Sequence, residues 1–235
     1  PRKVKFCKFN DVSHLKKLVN KKTVAIIIEF VQGDGGINIC SKNFAKVIKE
    51  ICKNKKILLI GDEIQGGIGR TGKIFAYKHY GVNPDIITSA KGLGSGIPIG
   101  ATIVKKYISK IISTGFHGST FGGGMLQTRV SYNVFKTINT KRFLNKVLIN
   151  GNLLSSLIKK MHHLHKDKIV DTRCLGLMAG VEFKNNQIAL KTYEKMSKNG
   201  LISTLIQGNI IRLTPPLIVS KKEIYKAISI ISKSL

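Results

Sequence analysis

An α/β fold is predicted from three features of the sequence. Two short apolar runs, Lys56-Ile57-Leu58-Leu59-Ile60-Gly61 and Asp85-Ile86-Ile87-Thr88, have the length and branching of buried strands. The first ends in Asp62-Glu63-Ile64-Gln65, and the second in Ser89-Ala90-Lys91 followed by a glycine-rich turn, Gly92-Leu93-Gly94-Ser95-Gly96. From about residue 140 the texture shifts to long amphipathic helical patterns mixed with short strands, which predicts a second, smaller α/β domain. The expected division is residues 1–139 for a larger, mostly parallel sheet domain and 140–235 for the C-terminal domain.

In order, residues 1–22 are basic, and Asn10 or Asp11 can cap a short helix bearing Leu15, Leu18 and Val19. Thr23 to Ile28 reads as a buried strand ending at Glu29, before the turn Gln32-Gly33-Asp34-Gly35-Gly36. Ser41 can cap a helix whose apolar face is Phe44, Val47, Ile48 and Ile51. That helix leads into the Asp62 strand, so a βαβ unit is expected. Gly66 to Gly72 reads as a flexible loop with Arg70 solvated, and Phe75, Tyr77 and Tyr80 as packing aromatics. Ile99 to Val104 reads as a strand and Tyr107 to Ile112 as a short helix. His117-Gly118-Ser119-Thr120 follows. Phe143, Val147, Leu153, Leu154 and Leu157 mark a long helix that ends near His162, His163 and His165. No acid or cysteine frames those histidines, so an exposed helix end is expected, and no metal. Further strands are expected at Ile169-Val170, Leu177 to Val181 and Ile210 to Leu213. Ser220 and Glu223 have capping-box spacing, before a helix that buries Ile224, Ala227, Ile228 and Ile231.

Composition narrows the function. The chain has 235 residues, with 40 Lys and Arg against 12 Asp and Glu, a formal charge of +28. Such a balance attracts polyanions. Yet the lysines are spread evenly, and no recognition-helix, zinc-finger or RNA-binding signature accompanies them. Lysine, isoleucine and asparagine share A/T-rich codons, so base composition accounts for the charge; a basic nucleic-acid-binding protein is the weakest of three readings. No apolar run is long enough to span a bilayer. Cys7, Cys40, Cys52 and Cys174 lack CxxC spacing, which points to a reducing cytoplasm.

The strand ends carry the chemistry. Ligands of open parallel sheets sit outside the carboxyl ends of strands. A desolvated lysine there can attack a carbonyl, although an exposed lysine is the ordinary case. An acid and a lysine on two such ends suit pyridoxal phosphate: the carboxylate keeps the pyridine nitrogen protonated, and the amine condenses with the aldehyde.

Glu29-Phe30-Val31-Gln32-Gly33-Asp34-Gly35-Gly36, Asp62-Glu63-Ile64-Gln65, Gly69-Arg70-Thr71-Gly72, Ser89-Ala90-Lys91-Gly92-Leu93-Gly94 and His117-Gly118-Ser119-Thr120-Phe121-Gly122-Gly123 occur in this order. Together they resemble the class III aminotransferases, most closely their acetylornithine branch. The resemblance covers essentially the whole chain, but only the C-terminal part of such an enzyme. It implies a pyridoxal-phosphate-dependent transferase of fold type I, here a partial large domain plus the small domain. It implies transfer of an amino group from N-acetylornithine, or from succinyldiaminopimelate, to 2-oxoglutarate in arginine and lysine biosynthesis. It also implies a homodimer whose active site is shared across subunits.

Residue by residue, the resemblance implies Lys91 as the catalytic amine and Asp62 at the pyridine nitrogen. Gln65 would lie near the ring's phenolic oxygen, and Thr120 on the cofactor phosphate of the neighbouring subunit. Ser119 would contact substrate, and Glu29 and Asp34 would stand in the active-site wall. Arg212, in Arg212-Leu213-Thr214-Pro215-Pro216, would grip the substrate α-carboxylate; by itself it reads as an ordinary strand-end arginine. The position of Asp34 is usually glutamate in relatives, where it pairs with an arginine and gates carboxylate binding. Phe30 stands where relatives carry proline, and Gly124-Met125-Leu126-Gln127 where they carry Asn-Pro and small residues. Relatives supply a phosphate loop, a ring-stacking aromatic and a distal-carboxylate arginine from further upstream. A non-catalytic remnant of such an enzyme is therefore the second reading.

Overall fold

The computed structural model describes residues 3–235. The chain divides into two compact units, one formed by residues up to 30, 40–65 and 77–136, the other by 31–39, 66–76 and 137–235.

The first unit is built on a four-stranded sheet with strands in sequence order: β1 (Ala25–Ile28), β2 (Leu58–Asp62), β3 (Ile86–Ser89) and β4 (Ala101–Val104). The first three are parallel, and β4 returns antiparallel along β3. Register places Ile28 beside Gly61 and Asp62 beside Thr88. The helices are α1 (Val12–Leu18), α2 (Lys42–Lys55), the single turn α3 (Lys106–Ser109) and α4 (Met125–Ile138), whose end passes into the other unit. Asp11 caps α1 by accepting from His14 N–H, and Ser41 caps α2 by accepting from Phe44 N–H. Helix α2 buries Phe44, Ala45, Ile48 and Cys52 and links two adjacent parallel strands, as a βαβ unit does.

Strand β1 departs from expectation. It was expected to be buried, but Val24 is 78% and Ile27 63% exposed. Its branched residues do specify a strand, but β1 occupies the edge of the sheet, and its outer flank faces no other strand of the described residues. The expected helix at 107–112 shrinks to α3, and Ile111 and Ile112 lie exposed beyond it.

Asp85, just before β3, ties this sheet together. Its Oδ2 accepts from Leu59 N–H at 2.9 Å, and its Oδ1 from Lys105 Nζ at 2.7 Å. Burial pushes the carboxyl up, but the Leu59 N–H and the Lys105 ammonium outweigh it, so its pKa lies below the ordinary value. A depressed carboxylate pKa adds stability that is complete above the unfolded value and lost as pH falls through the folded one. Acid titration should therefore loosen this sheet below about pH 4. Asp85→Asn should flatten that part of the stability–pH curve, as followed by urea midpoints between pH 3 and 6.

The second unit has an antiparallel sheet in the order β5 (Ile169–Leu175), β6 (Met178–Phe183), β8 (Ile210–Leu213), β7 (Thr204–Ile206). Helices α5 (Lys141–Leu164), α6 (Asn186–Lys198) and α7 (Lys221–Ser234) pack with it around Val147, Ile158, Phe183, Met196, Ile211 and Ile231. The Ser220–Glu223 capping box opens α7. The three histidines fall in the last turn and at the C-cap of α5.

The segment 66–72 is a packed wedge, not a flexible loop. Ile68 is 2% and Thr71 0% exposed. Arg70 is half-buried: its carbonyl accepts from Leu177 N–H, and its Nη1 donates to Leu177 O at 3.1 Å and Pro215 O at 2.5 Å. Burial lowers its pKa to about 10, so it stays cationic at neutral pH. The expectation of a solvated Arg70 is thus corrected. The guanidinium satisfies carbonyls that close packing would otherwise strand. Gly176, at the β5–β6 turn, fits between Thr71 and Gly151 of α5 with no room for a side chain on either glycine.

Candidate active site

In the first unit the parallel strands bring three of the expected residues to one edge. Glu29 directly follows β1, Asp62 closes β2, and Lys91 stands two residues beyond β3. The side chain of Asp62 is held by its own turn and by the next strand. Its Oδ1 accepts from Ile64 N–H at 3.0 Å and from Thr88 Oγ1 at 3.2 Å. Both bonds fall on one oxygen, so Oδ2 has no donor among the described residues. Thr88 is the register partner of Asp62, so pairing of β2 with β3 aims the carboxylate as well as building the sheet. Gln65 is half-buried three residues further on.

The neighbouring acid, Glu63, is wholly buried, and its Oε1 accepts from Tyr77 N–H at 2.8 Å. Alternation along an extended chain sends successive side chains to opposite faces. Asp62 and Glu63 therefore take different partners, Asp62 its own turn and Thr88, and Glu63 the chain that returns at Tyr77. Tyr80 stacks on Phe30 with ring centroids 5.2 Å apart, so these aromatics pack as expected.

Lys91 does not sit in a desolvating corner. It is exposed, with φ +46, in a turn where Leu93 N–H bonds Ala90 O and Gly94 N–H bonds Lys91 O. Left-handed backbone at a non-glycine residue is uncommon and tends to collect at functional positions. The turn is tight for a steric reason: a Cβ on Gly94 would lie 1.9 Å from Ile97 O. Lys91 borders an open depression of about 490 Å³ with Gly96, Ile97, Pro98 and Ile99. Its Nζ makes no hydrogen bond or ion pair among the described residues.

Ser119 and Thr120 lie apart in sequence, in the exposed stretch 111–123. A turn closed by Gly122 N–H on Ser119 O shapes it, and neither hydroxyl bonds another described residue. Phe116 at 73%, Phe121 at 83% and Met125 at 90% exposure make the surrounding surface apolar.

In the second unit, the fold joins Asp34 to Arg212 across 178 residues of sequence, with Arg212 Nη1 at 2.5 Å from Asp34 Oδ1. Arg212 lies in β8 between buried Ile211 and Leu213, and its side chain is 17% exposed against 74% for Asp34. Gln207 Nε2 donates to Asp34 O at 2.8 Å. A cation held in the sheet is thus capped by an acid from a surface turn.

Sequence reasoning missed Arg173. Its Nε bonds Asp171 at 2.6 Å, and its Nη2 bonds Glu182 on the paired strand. Its Nη1 donates to Gly36 O at 2.5 Å and Asn38 Oδ1 at 3.1 Å. The signal for the strand part was Asp171-x-Arg173 beside Glu182, charges on one face of a hairpin.

A carboxylate closes one parallel strand and an amine stands two residues past its neighbour, the edge at which open α/β sheets hold ligands. Comparison with known proteins supplies the family. The family profile described as "Aminotransferase class-III" matches residues 3–235. Acetylornithine aminotransferase of Methanocaldococcus jannaschii is 41% identical over 228 residues, covering 95% of this chain and 56% of that protein. Ornithine aminotransferase 1 of Staphylococcus saprophyticus is 38% identical over 234 residues, covering 99% and 58%. The crystal structure of acetylornithine aminotransferase from Elizabethkingia anophelis superposes with a TM-score of 0.90 at 32% identity, over 96% of this chain and 61% of that one.

The chain belongs to the class III aminotransferase family. It spans a little under three-fifths of the length of these curated relatives (56% and 58%). Enzymes of this family depend on pyridoxal phosphate. The residues present fit that group: the open Oδ2 of Asp62 can accept from a protonated ring nitrogen, and the unengaged Lys91 amine can meet an aldehyde.

Proposed function

We propose that this chain contributes the strand-end and small-domain parts of an aminotransferase that moves an amino group from N-acetylornithine to 2-oxoglutarate in arginine biosynthesis. Succinyldiaminopimelate is proposed as a second donor. Residues 1–139 are assigned to the cofactor-binding domain and 140–235 to the small domain. The observation that carries this reading is that Asp62 closes β2 and Lys91 stands two residues past the carboxyl end of the neighbouring parallel strand β3.

Pyridoxal phosphate, when bound, supplies an electron sink for the carbon that bears the transferred amine. Asp62 Oδ2 stabilises positive charge at its hydrogen-bond partner, while the Ile64 and Thr88 bonds on Oδ1 fix the carboxylate plane. Lys91 takes a proton from the substrate carbon and returns it to the acceptor carbon. Gln65 and Glu29 line the same edge. Arg212 presents a planar fork to a substrate carboxylate, with Asp34 as the acid that the substrate must displace. Thr120 and Ser119 offer hydroxyls to a phosphate and to substrate across a homodimer interface. The exposed apolar residues from Ile111 to Leu126 support burial of that stretch by a second copy. We assign the protein to the cytoplasm; among the described residues, no helix is long and apolar enough to cross a membrane.

The test is to incubate the purified chain with pyridoxal phosphate, reduce with borohydride, and map the modified peptides by mass. Preferential modification of the peptide containing Lys91 is expected. Even modification across the many surface lysines would count against a formed site.

A further inference from the structure

We propose that Arg173 is a positioning residue that sets how strongly Asp34 competes with substrate for Arg212. The inference rests on the reading of Arg212 as a carboxylate site and extends it to a residue outside that site.

The turn that carries Asp34 is fixed from the strand side. Arg173 is anchored on the β5–β6 hairpin by Asp171 and Glu182, which occupy its Nε and Nη2. The remaining nitrogen, Nη1, reaches out of the hairpin to Gly36 O and Asn38 Oδ1. Asn38 passes the restraint on, donating through Nδ2 to Gly35 O at 2.7 Å and to Gln32 Oε1 at 3.1 Å. Asp34 lies inside the segment thus spanned. Ile37 anchors the same turn by packing: it is 0% exposed, among Val31, Met178, Ile206 and Ile210. It holds φ +56, a conformation that a β-branched residue adopts only when its surroundings impose it.

An acid tethered beside an arginine competes with free carboxylates at an effective concentration set by the stiffness of its tether. Only the fraction of Arg212 not engaged by Asp34 is competent to bind, so apparent affinity falls by that fraction. A rigid turn keeps Asp34 close and raises the threshold a substrate carboxylate must pass. A loosened turn lets Asp34, 74% exposed, exchange its partner for water. Arg173 thereby tunes selection at Arg212 without touching the substrate.

The experiment is a double-mutant cycle on the full chain at fixed ionic strength, with glutarate as the probe and Arg212→Gln as the blank. Asp34→Asn should tighten glutarate binding about tenfold. Arg173→Gln should shift it in the same direction, by about three- to tenfold. The double variant should bind no tighter than Asp34→Asn alone, because both changes act through one competitor. Asn38→Ala attacks the clamp from the turn side, leaves Asp171 and Glu182 paired, and should tighten binding likewise. Amide hydrogen exchange of residues 33–38 should accelerate in Arg173→Gln and Asn38→Ala, while β6 and β8 keep their protection. Unchanged exchange in this turn, unchanged affinity in both variants, or additive effects in the cycle would overturn the proposal. Failure of glutarate to bind Arg212 in every variant would instead remove the carboxylate reading, and the exchange data would still decide whether Arg173 holds the turn.

Discussion

Lys91→Ala is expected to abolish preferential reductive labelling by pyridoxal phosphate, leaving only the diffuse background of a lysine-rich surface. The Nζ of Lys91 stands on the one turn that follows β3, beside the strand ending in Asp62, and no described residue engages it. Lys91→Arg should give the same loss, because a guanidinium keeps the charge but does not condense with an aldehyde to a reducible imine. In a full-length enzyme carrying this segment, either change should cost about 10²–10⁴-fold in kcat for proton transfer alone. Labelling that survives in Lys91→Ala with an unchanged peptide distribution would show that this edge assembles no site.

Gly176→Ala is expected to destabilise the second unit by about 2–5 kcal/mol, from a left-handed backbone penalty plus overpacking. A Cβ there would lie 2.4 Å from the Thr71 carbonyl carbon, 2.6 Å from Thr71 Cα and 2.7 Å from Arg70 O, and φ is +59. All three contacts are backbone, so no rotamer change relieves them. Gly151 meets Gly176 from the other side, with Gly176 O 2.4 Å from where its Cβ would be, so Gly151→Ala should be of similar severity. Typical domains have about 5–15 kcal/mol in total, so either change should bring unfolding into low urea. A loss below about 1 kcal/mol, measured by circular dichroism in urea, would mean that the wedge is looser than its contacts imply.

The sheet edge was legible because its signals are local. An apolar run that stops at an acid, or at a lysine before glycines, marks the strand and where it ends, and β2 and β3 formed where those runs lie. Asp11, Ser41 and Ser220 cap helices as their spacing predicts, since each bonds an amide three residues away. What stayed hidden depends on partners distant in sequence. Arg70 looked solvated because nothing near it names Leu177 or Pro215 as acceptors. Arg173 looked like one of many cations, since its turn-side partners precede it by more than a hundred residues. The exposure of β1 was invisible for a related reason: residue type specifies a strand, whereas position in the sheet depends on which strands flank it. Lys91 was expected to be desolvated from its small neighbours, but small residues leave a side chain uncovered as readily as they enclose it.

The interleaving of the second unit has a consequence for synthesis. Residues 31–39 and 66–76 leave the ribosome long before the hairpin and helices that receive them. Arg70 waits for Pro215 through 145 residues, and Gly36 for Arg173 through 137. At ordinary translation speeds that is an interval of roughly 7–30 s. During it a guanidinium and a strained isoleucine turn must remain hydrated and uncommitted. The nascent chain therefore lays down its earliest segments first and seats them last, and its yield in the cell should depend on whatever shields those segments in the meantime.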